Sequence, residues 1–232
     1  NRLGLRGATV DLEMSHRGGK ATLAIASGAL ILPGVFEDPL LPLDRLSADV
    51  RWQIEGDRLA VQVDDMQFAN ADAQGQGRAT WRTADAAKAG HRSRFPGVLD
   101  LTGTLSRADA TRVHRYLPLS LPQDSRHYVR DAVVAGSASQ VQFRVKGDLY
   151  DLPFADPSQG EFRIAARMKD VTYAYVPASL LPADTLPWPA LSGLAGDLIF
   201  DRASMQVRGA SGGFAGSKGL RLSKVDAKIP DL

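Results

Sequence analysis

Residues that could carry chemistry are few in this chain, and their spacing suits neither catalysis nor metal binding. The four histidines are His16, His91, His114 and His127, and no two stand at the i, i+4 spacing that places two ligands on one helix face. The chain has no cysteine, which excludes thiol catalysis, disulfide bonds and thiolate metal sites. We therefore predict no metal site, no cofactor and no enzymatic activity.

One short motif formally matches a serine nucleophile. Residues 209–213 read Gly-Ala-Ser-Gly-Gly, which fits the G-x-S-x-G pattern of a nucleophile elbow. That elbow needs a strand–turn–helix context and, in its usual chain order, a histidine later in the chain. No histidine follows His127, so we interpret these glycines as a turn.

Composition favours strands and turns over helices. Only four of the 26 acidic residues are Glu, and Asp prefers turns and caps, whereas Glu prefers helices. The 22 Gly and 13 Pro point the same way. The net charge is only +2 and basic runs interleaved with aromatic residues are absent, so a nucleic-acid partner is not expected.

A β-hairpin can be predicted down to its cross-strand pairs. Val50–Ile54 and Leu59–Val63 both alternate apolar and polar residues, and Gly56-Asp57 between them suits a two-residue turn. Closing the hairpin there pairs Ile54 with Leu59, Trp52 with Val61 and Val50 with Val63. A slip of one residue would destroy this segregation, so the chain is predicted to build antiparallel sheet with one apolar face.

The rest of the chain repeats the strand pattern. We predict strands at about 3–14, 21–32, 46–54, 59–68, 73–81, 98–105, 138–145, 160–168, 171–175, 193–200, 204–210 and 220–229, with a bulge at Asp64-Asp65. Asp109 is predicted to cap a short helical turn that ends before Pro118, and a second helix is predicted over 124–135 with Gly136 as its C′ residue. Residues 83–91 lack a strand pattern and are predicted to form a loop.

The domain organisation follows from length and hydropathy. The longest apolar stretch, 28–36, is interrupted by Pro33 and is far shorter than the roughly 20 residues that span a bilayer. We expect an excised segment of a longer protein. Residues 1–232 are predicted to be one unit, with possible sub-blocks 1–83 and 95–232 separated by a loop at 84–92.

Several stretches, mostly in the second half of the chain, resemble the YhdP branch of the AsmA-like family. They are Arg115–Pro118, Tyr128–Gly136, Gly147–Phe154, Gly160–Phe162, Trp188-Pro189 and Ala227–Leu232. The resemblance implies an inner-membrane-anchored protein of the Gram-negative envelope whose segment lies in the periplasm. It also implies a mostly β fold, in which an elongated, strongly curved antiparallel sheet forms an apolar groove, with one or two short helices around 109–135.

In such a protein the groove is expected to shield phospholipid acyl chains and to conduct them between the inner and outer membranes. Its expected partners are phospholipid acyl chains, neighbouring groove segments of the same chain and other envelope proteins. The residues alone leave an alternative open, namely a closed β-sandwich that scaffolds an envelope complex without binding lipid. The predicted groove residues are Val50, Trp52, Ile54, Leu59, Val61, Val63, Leu99, Leu101, Leu105, Val141, Phe143, Val145, Phe162, Ile164, Met168 and Leu198.

Overall fold

A computed structural model describes residues 3–85, 87, 93–119 and 121–230. These residues form eleven strands: β1 Gly4–Ser15, β2 Gly18–Ile31, β3 Leu40–Glu55, β4 Arg58–Ala69, β5 Ala73–Arg82, β6 Val98–Asp109, β7 Val133–Asp148, β8 Gly160–Tyr173, β9 Leu191–Asp201, β10 Ser204–Phe214 and β11 Ser217–Ile229. One α-helix, α1, runs from Gln123 to Ala132, and short 3-10 helices lie at Ala110–Tyr116, Leu149–Asp151 and Ala178–Leu180. The mostly β composition predicted from the sequence is confirmed.

The strands form one antiparallel meander in chain order, with β1 and β11 as its two edges. All eleven described strands belong to this one open sheet, so the alternative of a closed two-sheet sandwich is wrong. The predicted hairpin is confirmed in full, because Glu55 pairs with Arg58, Ile54 with Leu59, Trp52 with Val61 and Val50 with Val63. Gly56 takes a positive φ of 57°, a conformation that glycine adopts without steric cost.

The sheet has two different ends. At the hairpin end, tight turns join β1 to β2, β3 to β4 and β9 to β10. At the helical end lies the helical segment, which we define as residues 110–132 between β6 and β7. Among the described residues, no helix has both the length and the apolar character needed to cross a membrane.

β-Bulges concentrate toward the helical end. Residues with positive φ interrupt six strands in the half nearer that end: Gly7, Ser27, Asp65, Gln140, Asp170 and Gly193. The ladders shift register beside several of them, as between Val63 and Met66, where Asp65 confirms the predicted bulge. Because bulges bend strands and increase their twist, they curve the sheet into a groove.

Three details of the sequence prediction need correction. The predicted helix 124–135 ends at Ala132, because the chain enters β7 at Val133 and Gly136 lies within that strand. The predicted strands 160–168 and 171–175 are one strand with a bulge at Asp170. Residues 209–213 lie in β10, so their interpretation as a turn is wrong.

The predicted cap at Asp109 is confirmed, whereas the predicted loop and the sub-blocks are not tested in full. Asp109 caps the first 3-10 helix as predicted, since its carboxylate accepts a hydrogen bond from the Thr111 amide. Of the predicted loop 83–91, Ala86 and residues 88–91 lie outside the described residues, as does Arg92. The division into sub-blocks stays a prediction, although β5 and β6 pair along their length.

The buried core is small. The buried apolar residues are mostly Ala, and many of them lie in the helical half, as do Ile25, Leu41, Leu43 and Val171. Of the large side chains described, only Phe154 and Pro177 are completely enclosed, and both lie in connections between strands. The faces of the sheet are therefore not sealed against each other.

Candidate functional site

The register places all sixteen predicted groove residues on one face of the sheet, which we call the inner face. Directly paired residues of an antiparallel ladder share a face, and alternate residues along a strand return to it. One rung runs from Val50 through Val63, Ala79, Leu101 and Val145 to Phe162 across six strands. Whether these residues contact lipid stays a prediction.

The inner face extends beyond the predicted set. Register adds Val10, Leu12, Leu23, Ile25, Met66, Phe68, Trp81, Phe200, Met205 and Val207. Alternation in β1 could have identified Val10 and Leu12 from the sequence. Met66 and Phe68 are harder to predict because the bulge at Asp65 reverses the phase of alternation in β4.

The inner face is open. Of its sixteen predicted residues, only Val141 is buried, and the other fifteen keep part of their surface accessible. On the edge strand β1, Met14 is 69% exposed. The whole chain exposes 14528 Å². A compact protein of its 24.9 kDa mass would expose about 10,200 Å². This excess is expected for a single curved sheet that does not close on itself.

The opposite, outer face carries charge. Cross-strand ion pairs join Arg167 to Asp197 at 3.0 Å and Arg163 to Asp201 at 3.3 Å. Arg144 bridges Asp100 and Glu161 on the two neighbouring strands. The hydrogen bond from Arg144 lowers the pKa of Asp100 against a weaker opposing effect of burial. The sheet thus has one apolar face and one ionic face.

A buried polar cluster anchors the helical segment to the sheet. Asp72, in the β4–β5 connection, accepts hydrogen bonds from Arg115 at 2.7 Å and from the Tyr116 hydroxyl at 3.0 Å. The Asn70 side chain donates to the Tyr116 hydroxyl and accepts from the amides of Asp72 and Ala73. Burial raises the pKa of Tyr116, so this hydroxyl stays protonated and can donate to the carboxylate.

Helix α1 also ties together the connections on either side of it. His127 lies 3.0 Å from Glu37 in the β2–β3 connection, and this hydrogen bond lowers the pKa of Glu37. On the other side, the hydroxyls of Tyr128 and Tyr173 lie 2.6 Å apart, where burial raises the pKa of Tyr173. Ser179 donates to Asp131 at 2.7 Å. The helical segment therefore links the ends of strands from β2 to β9.

Two aromatic residues from loops cover part of the inner face at the hairpin end. The Phe154 ring lies against Gly147 and Gly160, which are paired with each other. Phe95 stacks on Trp81 with ring centroids 6.1 Å apart, and the Trp81 indole donates to the Pro96 carbonyl at 2.9 Å. This cover is local, and the inner face beside it keeps its partial exposure.

Within the described ranges, no three His, Cys, Asp or Glu side chains group closely enough to hold a metal ion. A cavity of about 770 Å³ lies at the hairpin end and includes Ala60, Arg82, Val98 and Asp148, which form one outer-face rung. Leu59 of the inner face also lines this cavity, so the cavity reaches the rim of the apolar surface.

Fold and site together define a β-groove protein, an open curved sheet with one apolar face. A comparison with protein families matches residues 3–232 to the family described as YhdP protein. The chain belongs to this family, which confirms the resemblance predicted from the sequence. Searches of curated proteins and of solved structures returned no significant match. Family membership indicates a bacterial envelope protein related to lipid transport.

Proposed function

We propose that this chain is a non-enzymatic groove segment of a periplasmic bridge that shields phospholipid acyl chains between the inner and outer membranes. The observation that carries the proposal is the open apolar inner face, on which fifteen of sixteen predicted groove residues keep accessible surface. Membership of the YhdP protein family supports it, because that family indicates lipid transport in the envelope.

Energetics support an apolar occupant. Fully burying an exposed large apolar side chain contributes about 1.5–3 kcal/mol. The fifteen accessible groove residues are mostly half-buried, so each forgoes only part of this value, and together they forgo on the order of several kcal/mol. Typical net domain stability is only about 5–15 kcal/mol. An acyl chain gains about 0.8 kcal/mol for each buried methylene. Binding of lipid tails to the inner face is therefore favourable, because it removes both apolar surfaces from water.

The edge strands suggest where further groove segments attach. β1 and β11 each have a neighbouring strand on one side only, so their other sides present unpaired backbone groups. On the proposed function, neighbouring groove segments of a longer, inner-membrane-anchored chain continue the sheet there. Other envelope proteins are further candidate partners.

Native mass spectrometry of the purified protein, with lipid extraction from the same sample, tests the proposal. We expect bound phospholipid at near-stoichiometric level. Trp52→Asp and Phe162→Asp place a charge on the inner face and should remove the lipid. Gln53→Asp places the same charge on the adjacent exposed position of β3 and should keep it.

Circular dichroism should confirm that each variant is folded. A lipid-free wild-type protein, or folded inner-face variants that retain lipid as Gln53→Asp does, would contradict the proposed function.

A further inference from the structure

Several large inner-face side chains have a glycine directly opposite them in the ladder. Four of these pairs are Trp52 with Gly19, Met66 with Gly77, Leu105 with Gly75 and Phe143 with Gly103, and the same pattern recurs at Phe68, Leu99 and Met168. Glycine within a strand lowers stability and usually marks a place where another group approaches closely. The repeated use of glycine at these positions, despite its cost in stability, therefore indicates a structural role.

The large side chains occupy the space that a Cβ atom would need. A Cβ on Gly19 would lie 2.5 Å from the Trp52 indole, and one on Gly75 would lie 2.6 Å from a Leu105 methyl group. A Cβ on Gly103 would clash with the Phe143 ring, and one on Gly77 would lie 3.1 Å from the Met66 methyl group. Each side chain thus lies against the sheet over its glycine and does not stand upright.

Two of these pairs stand on the same rung. Met66 on β4 pairs with Gly77 on β5, Gly77 with Gly103 on β6, and Gly103 with Phe143 on β7. We call these four residues the glycine rung. Met66 and Phe143 lie over the two central glycines from opposite sides. The side chains of this rung therefore project little above the sheet, although both end residues are bulky.

We propose that the glycine rung gives the groove enough clearance for methyl-branched acyl chains, with Gly77 and Gly103 acting as positioning residues that let Met66 and Phe143 lie flat. This inference rests on the proposed function and adds a selectivity for chain shape. With both side chains lying flat, the groove admits straight chains and chains that carry methyl branches. A side chain raised from the wall would exclude the branched chains first.

Gly77 offers the mildest test of the rung. Its Cβ would meet the Thr102 carbonyl oxygen at 3.0 Å and the flexible end of Met66 at 3.1 Å. Gly77→Val therefore displaces the end of Met66 and requires the Thr102 carbonyl to shift by a few tenths of an ångström. Gly219→Val is the matched control, because a Cβ there would meet nothing within 4 Å. Adding Met66→Ala to Gly77→Val removes the raised side chain but keeps the contact with Thr102.

The measurement is competitive lipid loading of each purified protein, read by native mass spectrometry. The probes are phosphatidylethanolamine with straight palmitoyl chains and phosphatidylethanolamine with methyl-branched phytanoyl chains. We expect Gly77→Val to lower the branched-to-straight ratio about tenfold, the scale on which an apolar site discriminates by a methyl group. The double variant should restore the ratio, and Gly219→Val should leave it unchanged.

The outcomes separate the two proposals. A wild-type protein that binds neither probe would contradict the proposed function itself. A folded Gly77→Val protein with an unchanged ratio would overturn the role of the glycine rung and leave the groove intact. A lowered ratio that Met66→Ala does not restore would also overturn it, because the effect would not pass through Met66.

Discussion

The hairpin half and the helical half of the sheet are built from the same strands but differ in regularity, exposure and buried contacts. In the hairpin half most ladders, such as β2–β3 and β6–β7, run without register shifts, and large apolar side chains keep accessible surface on one face. In the helical half bulges interrupt the strands, and a buried polar cluster holds the helical segment against them.

An open groove can be stable when its two halves have different roles. The helical half supplies buried contacts and fixed tethers between distant strands, whereas the hairpin half leaves its apolar face available. We expect variants in the helical half to affect mainly folding. Variants on the inner face of the hairpin half should affect mainly lipid binding.

The largest expected effect on stability lies in the anchor of the helical segment. Asp72→Ala leaves Arg115 and the Tyr116 hydroxyl without their shared acceptor in a site where the Asp72 side chain is 8% exposed. Arg115 keeps its ion pair with Asp38, so the cost is that of leaving donors without their acceptor in a largely buried site, about 2 kcal/mol. Urea unfolding should show this loss as a lower midpoint.

Asp197→Ala is the control for that variant. It removes an ion pair with Arg167 whose side chains are 61% and 49% exposed, and exposed pairs contribute less than about 1 kcal/mol. Equal losses in the two variants would contradict the assignment of stability to the helical half.

A smaller effect on stability tests whether the bulge at Gln140 strains the backbone. Glycine substitutions at Gln140 and at Gln142 should change the free energy of unfolding in opposite directions. Gln140 has a φ of 51°, which strains any residue with a Cβ, so Gln140→Gly should stabilise the protein by about 1 kcal/mol. Gln142 lies beyond the bulge in regular, exposed strand, so Gln142→Gly should destabilise it by about 1 kcal/mol. Urea unfolding of both variants measures the contrast, and two losses of equal size would argue against strain at the bulge.

The smallest effect is a pH dependence at the end of α1. Hydrogen bonds from Arg130 and Ser179 lower the pKa of Asp131 from 3.8 to about 2. The carboxylate therefore adds stability that is complete above about pH 4 and is lost as pH falls toward 2. Asp131→Asn should flatten this part of the unfolding midpoint between pH 5 and pH 2. An unchanged slope would show that the hydrogen bonds of this carboxylate with Arg130 and Ser179 contribute no stability.

The sequence predicted the hairpin half better than the helical half for a physical reason. Regular alternation gives the pairs of Val50–Ile54 with Leu59–Val63 directly, and those pairs are present. Beyond Asp65 or Gln140 the bulges reverse the phase, so alternation alone cannot assign the face. The predicted groove residues therefore omit Met66 and Phe68.

The contacts of the helical segment could not be predicted from local sequence patterns. Asp72 meets Arg115 and Glu37 meets His127 across many residues of intervening chain, and each partner also suits an exposed surface. Local cues did predict the cap at Asp109, because that interaction is formed within two residues. The helix end at Ala132 was missed because Val133 begins a strand whose pairing with β8 is a long-range feature.

The most direct test of an open lipid groove is a photo-crosslinking measurement at two adjacent positions of β7. p-Benzoylphenylalanine replaces Phe143 on the inner face in one protein and Gln142 on the outer face in the other. After irradiation with bound phospholipid, we predict a lipid adduct at position 143 and none at position 142. Adducts of equal yield at both positions, or only at 142, would contradict the assignment of the inner face as the lipid-binding surface.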